Sequence, residues 1–150
     1  MVSVINMVTI AGQVEPVFDL VTTARFWPQW HPATEAVGGV TQRPYRLGDL
    51  ISERGRIASL QFHVTWKVVD YVRPERVALE CERPPARIVY SFHGRGGVTE
   101  FQRELAYEPA VFADAFSDSA ELERFMYSQS QEGLSRLKNL IEEILRQERI

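Results

Sequence analysis

The chain has 150 residues, 45% of them hydrophobic and 25% charged, with a formal net charge of −3 at pH 7. That length fits a single domain, residues 1–150, able to bury most of its apolar surface, and the acidic balance with dispersed Lys and Arg excludes nucleic acid as the main partner. One cysteine, Cys81, excludes an internal disulfide, and the absence of a signal pattern or of an apolar run approaching ~18 residues predicts a cytoplasmic protein with no membrane span.

Val2 to Ala11 is rich in β-branched residues, and Val4, Met7, Val8 and Ile10 make it mostly apolar, which predicts a first strand. Pro16 suits the first turn of a helix and Glu15 its positive end. A short helix is expected over Pro16–Val21, burying Val17, Phe18 and Val21, before Thr22-Thr23 breaks it. A second short helical piece is expected over Ala24–Trp30, ended by Pro32 and Ala33-Thr34. It carries Phe26, Trp27 and Trp30, more apolar area than a connection needs.

A run of strands follows. Ala36–Thr41 is a candidate, then a loop through Arg43 to Asp49, then Leu50–Ile57. Ser59–Val72 is the longest, with Leu60, Phe62, Val64, Trp66 and Val68 on one parity and Gln61, His63, Thr65 and Lys67 on the other, the pattern of a half-buried strand. Arg73-Pro74-Glu75 turns the chain into Arg76–Glu82. Pro84-Pro85 breaks it again before Ile88–His93, and Gly94-Arg95-Gly96-Gly97 turns it into Val98–Tyr107, which Glu108-Pro109 ends. Successive strands with short turns predict an antiparallel meander.

The last element is a helix from about Ser119 to Gln147. Leu122, Phe125, Met126, Leu134, Leu137, Leu140, Ile141, Ile144 and Leu145 fall at three- and four-residue steps along one stripe. Ser117, Asp118 or Ser119 can cap it, with Glu121 three residues after Asp118. At 1.5 Å per residue it spans roughly 45 Å and needs a large partner surface. A glycine inside a helix costs about 1 kcal/mol relative to alanine. Gly133 therefore marks either simple tolerance or a close helix–sheet contact, or else room beside a cavity bordered by Phe125, Met126 and Gln129. The fold class expected is α+β: a curved antiparallel sheet of six to seven strands wrapped around the terminal helix, with two short helices after the first strand.

Several stretches carry a family resemblance: Val14-Glu15-Pro16-Val17-Phe18-Asp19-Leu20-Val21, Phe26-Trp27-Pro28-Gln29-Trp30-His31-Pro32, Val68 to Val77, and Gly97-Val98-Thr99-Glu100-Phe101 leading to Tyr107-Glu108-Pro109. The sequence resembles the helix-grip superfamily of START domains, Bet v 1-like proteins and bacterial polyketide cyclase/dehydrase-type (SRPBCC) proteins. The resemblance spans nearly the whole chain. It implies a sheet gripping the C-terminal helix with a deep apolar cavity between them. A shared fold does not carry a shared reaction.

Candidate site residues follow from parity. His31 serves either as a capping or surface group or as acid, base or donor at the cavity mouth. His63 faces solvent if Phe62, Val64 and Trp66 face the core, and His93 sits at a rim or on the surface. No two histidines have metal-ligand spacing, so no metal and no cofactor are expected. Arg54 and Arg56 share a parity and form either a solvated face or a carboxylate-binding stripe. Phe101 and Leu105 are expected to point inward, and Arg103 shares their parity, so it is a buried or rim arginine needing a partner. Tyr90 and Phe92 follow Ile88 onto the concave face. Cys81 alternates with Val77 and Leu79 as a buried strand residue. Phe26, Trp27 and Trp30 are expected to close one end of the cavity.

Together these place an apolar pocket among Trp30, Phe62, Trp66, Tyr90, Phe101, Phe125, Met126 and Gln129, with His31 or Arg103 as polar anchor. The competing outcome is that the same side chains meet and fill the volume. Three functions stay open. The first is binding of a hydrophobic, aromatic or polycyclic, small molecule by a monomer or homodimer. The second is an aromatase/cyclase or dehydratase acting on a polyketide-like chain, which needs a convergent acid/base pair. The third is a protein-interaction or co-chaperone-like role, which needs an exposed apolar patch.

Overall fold

The computed structural model describes residues 1–148. Seven strands form one curled antiparallel sheet: β1 (Val2–Ala11), β2 (Thr34–Gly39), β3 (Leu50–Ile57), β4 (Leu60–Val72), β5 (Arg76–Glu82), β6 (Pro85–Arg95) and β7 (Val98–Tyr107). Between β1 and β2 come α1 (Val14–Val21), a 3₁₀ turn at Ala24–Phe26 and the single-turn helix α2 (Trp27–Trp30). A second 3₁₀ turn at Pro109–Phe112 precedes the long helix α3 (Ser119–Gln147). The order across the sheet is β1-β7-β6-β5-β4-β3-β2. β2 to β7 thus form the expected meander, and β1 closes on its last strand with Val2 opposite Tyr107.

Several boundaries differ from expectation, those of β2 and β6 for a pairing reason, and α1 starts two residues early at Val14. β2 starts at Thr34 because Thr34 pairs with Gly55, and it stops at Gly39, whose φ of +80° turns the chain. β6 runs past Pro85 and Gly94 because it pairs with β5 on one side and β7 on the other. The expected second helical piece is a 3₁₀ turn followed by one α-turn.

α3 lies against β1 and α2. Leu134, Leu137, Ile141 and Leu145 join the main core with Ile10, Val17 and Phe18. Leu122 and Met126 join a second cluster with Val4 and Tyr107. β1 is an edge strand, and α3 covers its free backbone groups. Glu142 accepts from Ala11 N–H at 2.8 Å, and Lys138 Nζ donates to the Thr9 carbonyl at 3.0 Å. Asn6 Nδ2 donates to Gln131 Oε1 at 2.9 Å.

The helix begins where Asp118 accepts from Glu121 N–H at 2.8 Å. Asp118→Ala should therefore cost about 1 kcal/mol. The measurement is the denaturant midpoint, which should fall with an unchanged slope.

Gly133 is a contact glycine. A Cβ there would lie 3.2 Å from both the Trp30 carbonyl oxygen and Pro32 Cδ. Its bare backbone lets α3 approach the end of α2. It leaves no room for a ligand, which corrects the cavity reading of that residue.

Candidate functional site

A cavity of about 310 Å³ lies between the sheet and the N-terminal half of α3. Its walls come from nearly every element. β4 supplies Phe62, Val64 and Trp66, β6 supplies Ile88 and Tyr90, and β7 supplies Arg103, Leu105 and Tyr107. α2 adds Trp27 and Trp30, and α3 adds Met126. In β6 and β7 the wall residues share one parity, as do Phe62, Val64 and Trp66 of β4, so the alternation aims them at one space; β4 also brings Gln61 and His63 of the other parity to it. Trp27 and Trp30 are 3% and 1% exposed and Phe26 is half-buried, so this cluster is interior and not a partner surface.

Of the residues expected to converge, Trp30, His31, Phe62, Trp66, Tyr90, Arg103 and Met126 lie on the cavity wall. Phe101, Phe125 and Gln129 do not. Phe101 is fully buried between the rings of Tyr90 and Phe92, at 5.3 and 5.0 Å, in solid core. Phe125 packs on Phe116 at 5.1 Å, on the flank of α3. Gln129 is half-buried on the same flank, one turn from Phe125. The inward line of the helix runs Leu122, Met126, Ser130 and Leu134 instead. Arg54 and Arg56 are exposed and form a solvated strand face, and His63 and His93 are exposed as well.

The polar end of the cavity centres on Glu53, which the sequence reading passed over. Glu53 is 5% exposed on β3. Its signal was parity: Ile51, Glu53 and Gly55 alternate inward while Arg54 and Arg56 point out. Trp66 Nε1 donates to Glu53 Oε1 at 2.9 Å, and the Thr34 hydroxyl donates to Oε2 in a short hydrogen bond. His31 Nδ1 lies 2.9 Å from Thr34 Oγ1 and 3.7 Å from Glu53 Oε2. Its other nitrogen, Nε2, lies 3.3 Å from Arg103 Nη2. Arg103 Nη1 donates to Ser130 Oγ at 2.8 Å.

These contacts assign the proton positions. Arginine only donates, so His31 Nε2 accepts and the ring proton sits on Nδ1. Thr34 then accepts from Nδ1–H and passes its own hydroxyl proton toward Glu53. The chain Arg103, His31, Thr34, Glu53 is therefore donor-to-acceptor in one direction.

Burial, with the Arg103 charge adding to it, holds the His31 imidazole well below its ordinary pKa of 6.5. Burial also pushes the Glu53 carboxyl up, against the hydrogen bonds from Thr34 and Trp66 and the charge of Arg103. Tyr90 is pushed up to about 12, mainly by burial, and stays a neutral phenol. Cys81, also on the wall, is pushed up to about 11 by burial, so it is an inert thiol. The arrangement is a mostly apolar chamber with one neutral histidine, one tethered carboxyl and one guanidinium at one end.

Among the described residues no group of three His, Cys, Asp or Glu side chains converges, and no helix is long and apolar enough to cross a membrane.

Comparison with known structures matches this architecture. A START superfamily protein from Mycobacterium smegmatis is 14% identical, with a TM-score of 0.75 over 95% of this chain and 98% of that one. The Aha1 dimer from Colwellia psychrerythraea, solved in solution, is 14% identical, with a TM-score of 0.66 over 95% and 97%. A polyketide cyclase-like protein from Corynebacterium glutamicum is 16% identical, with a TM-score of 0.57 over 97% and 92%. At these identities the likeness carries the fold alone. No curated protein matches the sequence. The family described as polyketide cyclase / dehydrase and lipid transport matches residues 1–142. The chain belongs to that polyketide cyclase / dehydrase and lipid transport family.

Proposed function

We infer that this protein binds a hydrophobic, ring-bearing small molecule inside the cavity. The observation that carries the reading is an apolar chamber of about 310 Å³ whose few polar groups gather at one end. Binding sites for small organic molecules are mostly apolar, with few polar groups fixing orientation. The volume is about twice the ~150 Å³ cavity that takes one benzene ring with room to spare, which suits a body of two or three rings. Phe62, Trp66 and Ile88 offer it flat and branched surfaces.

A neutral fluorescent probe, N-phenyl-1-naphthylamine, tests the reading. Saturable one-to-one binding with a blue shift is expected. Leu105→Trp, which fills the wall, should weaken it by about tenfold, a change of about 1.4 kcal/mol, in a protein with an unchanged circular dichroism spectrum. Unsaturable binding, or an affinity indifferent to that substitution, overturns the reading.

A second reading, cyclase or dehydratase chemistry on a polyketide-like chain, draws on one observation: neutral His31 backed through Thr34 by the Glu53 carboxyl. The His31 Nε2 already accepts from Arg103 and its pKa is lowered, so it would take a proton from a substrate only where a substrate anion draws Arg103 away from that nitrogen. The interaction reading gains nothing from the aromatic cluster, because Trp27 and Trp30 are interior.

A further inference from the structure

Arg103 is 3% exposed, yet the groups in contact with it are all uncharged: it hydrogen-bonds the Ser130 hydroxyl and the neutral His31 ring, and the neutral Tyr90 phenol stands beside it. No ion pair to Arg103 occurs among the described residues. A buried cation without a carboxylate in contact is costly, since desolvation is not offset by pairing. Arginine carries five N–H donors, and Nε is buried without an acceptor.

The same deficit recurs around it. Trp30 Nε1 is also buried without a partner, and Trp27 Nε1 faces only the Tyr45 hydroxyl, with no hydrogen bond of normal length between them. Trp27, Trp30 and Arg103 all lie on the cavity wall, and Tyr45 stands edge-on to Trp27 at 6.2 Å. Buried polar groups in folded proteins are nearly always satisfied. Here the unsatisfied ones at the cavity are groups that donate. The Glu53 carboxyl accepts from Trp66 and Thr34 and acts on Arg103 through its charge alone, with no hydrogen bond or ion-pair contact to the guanidinium.

Taking the cavity reading above as its base, we propose that the ligand is an organic anion, a two-ring aromatic carboxylate whose oxygens accept from Arg103. A carboxylate matches the planar fork of a guanidinium. It supplies acceptors where the wall offers donors, and it gives the buried cation its countercharge. The ring body then lies along Trp66 and Phe62.

Two probes of one shape separate charge from hydrophobicity: 2-naphthoate and the neutral ketone 2-acetylnaphthalene, each displacing N-phenyl-1-naphthylamine near neutral pH. The naphthoate should bind about tenfold tighter than the ketone, a difference of about 1.4 kcal/mol. Arg103→Met should erase that preference while the ketone still binds. Methionine in place of an unpaired buried cation is expected to fold at least as well as the parent. Arg103→Lys serves as the second variant, keeping the charge but not the fork, and should show an intermediate preference. Equal binding of the two probes by the parent, or a preference that survives in Arg103→Met, overturns the anion proposal alone. If none of the three probes binds, the cavity reading falls with it.

Discussion

Gly55→Ala should lower stability by about 3 kcal/mol or more and abolish probe binding. A Cβ at position 55 would be driven into the Ala33 carbonyl oxygen and to 2.7 Å from Phe62 Cζ. The first obstacle is backbone and cannot swing away. It is also in use, because Arg56 N–H donates to that carbonyl at 2.9 Å. Overpacking a tight site costs about 1–3 kcal/mol, more when backbone must move. The functional loss follows from the same contact. Ala33 holds Thr34 opposite Gly55, and Thr34 links His31 to Glu53. Displacing that segment separates the polar end of the cavity and disturbs Phe62 on its wall. Gly97→Ala is the control, since a Cβ there meets nothing within 4 Å. It should stay within about 0.5 kcal/mol of the parent. Chemical denaturation with probe titration checks both, and a Gly55→Ala protein as stable as the Gly97→Ala control would refute the contact argument.

Acidification should destabilise the protein through His31 by up to about 1.4 kcal/mol per pH unit. Its folded pKa lies well below its ordinary 6.5, because burial and Arg103 disfavour the imidazolium. Below 6.5 the unfolded chain takes up a proton that the folded chain refuses, so stability present above 6.5 is lost as pH falls. Glu53 acts with the opposite sign. Its folded pKa is raised above the ordinary 4.5, so the folded state holds the extra proton just above 4.5 and gains stability as pH falls toward it. The two side chains therefore oppose each other, and His31 dominates the window nearest 6.5. His31→Gln isolates the effect. Its stability between pH 4.5 and 6.5 should change less with pH than that of the parent. Parallel curves would show that His31 is not held neutral by the fold.

The opposed signs have a common origin, and it bears on function. Desolvation disfavours any charge at the polar end of the cavity, so it neutralises His31 and pushes Glu53 the same way. Arginine cannot deprotonate in proteins and stays charged. Glu53 acts on that guanidinium through its charge but makes no ion-pair contact with it, and in the proposal above a ligand carboxylate would supply that contact.

The elements of this protein are largely legible in its sequence, because they rest on local periodicity. The alternation from Leu60 to Val68 aims Phe62, Val64 and Trp66 at one face whatever lies across from them. The stripe from Leu122 to Leu145 and the Asp118 cap bound the helix at Ser119 and Gln147. Arg103 is inward by parity for the same reason. What the periodicity leaves open is decided by partners distant in the chain. Glu53 sits between two exposed-looking neighbours, and it is buried only because Thr34, 19 residues away, and Trp66, 13 residues away, both donate to it. Gln129 and Ser130 are adjacent polar residues, and the rotation of α3 against β7 puts Ser130 on Arg103 and turns Gln129 to the flank. Gly133 is explained by the Trp30 carbonyl across the helix contact. Backbone periodicity is a property of neighbouring residues and belongs to the sequence. Desolvation and hydrogen-bond pairing belong to whichever groups the fold brings opposite each other, so only the tertiary structure places the charges of this site.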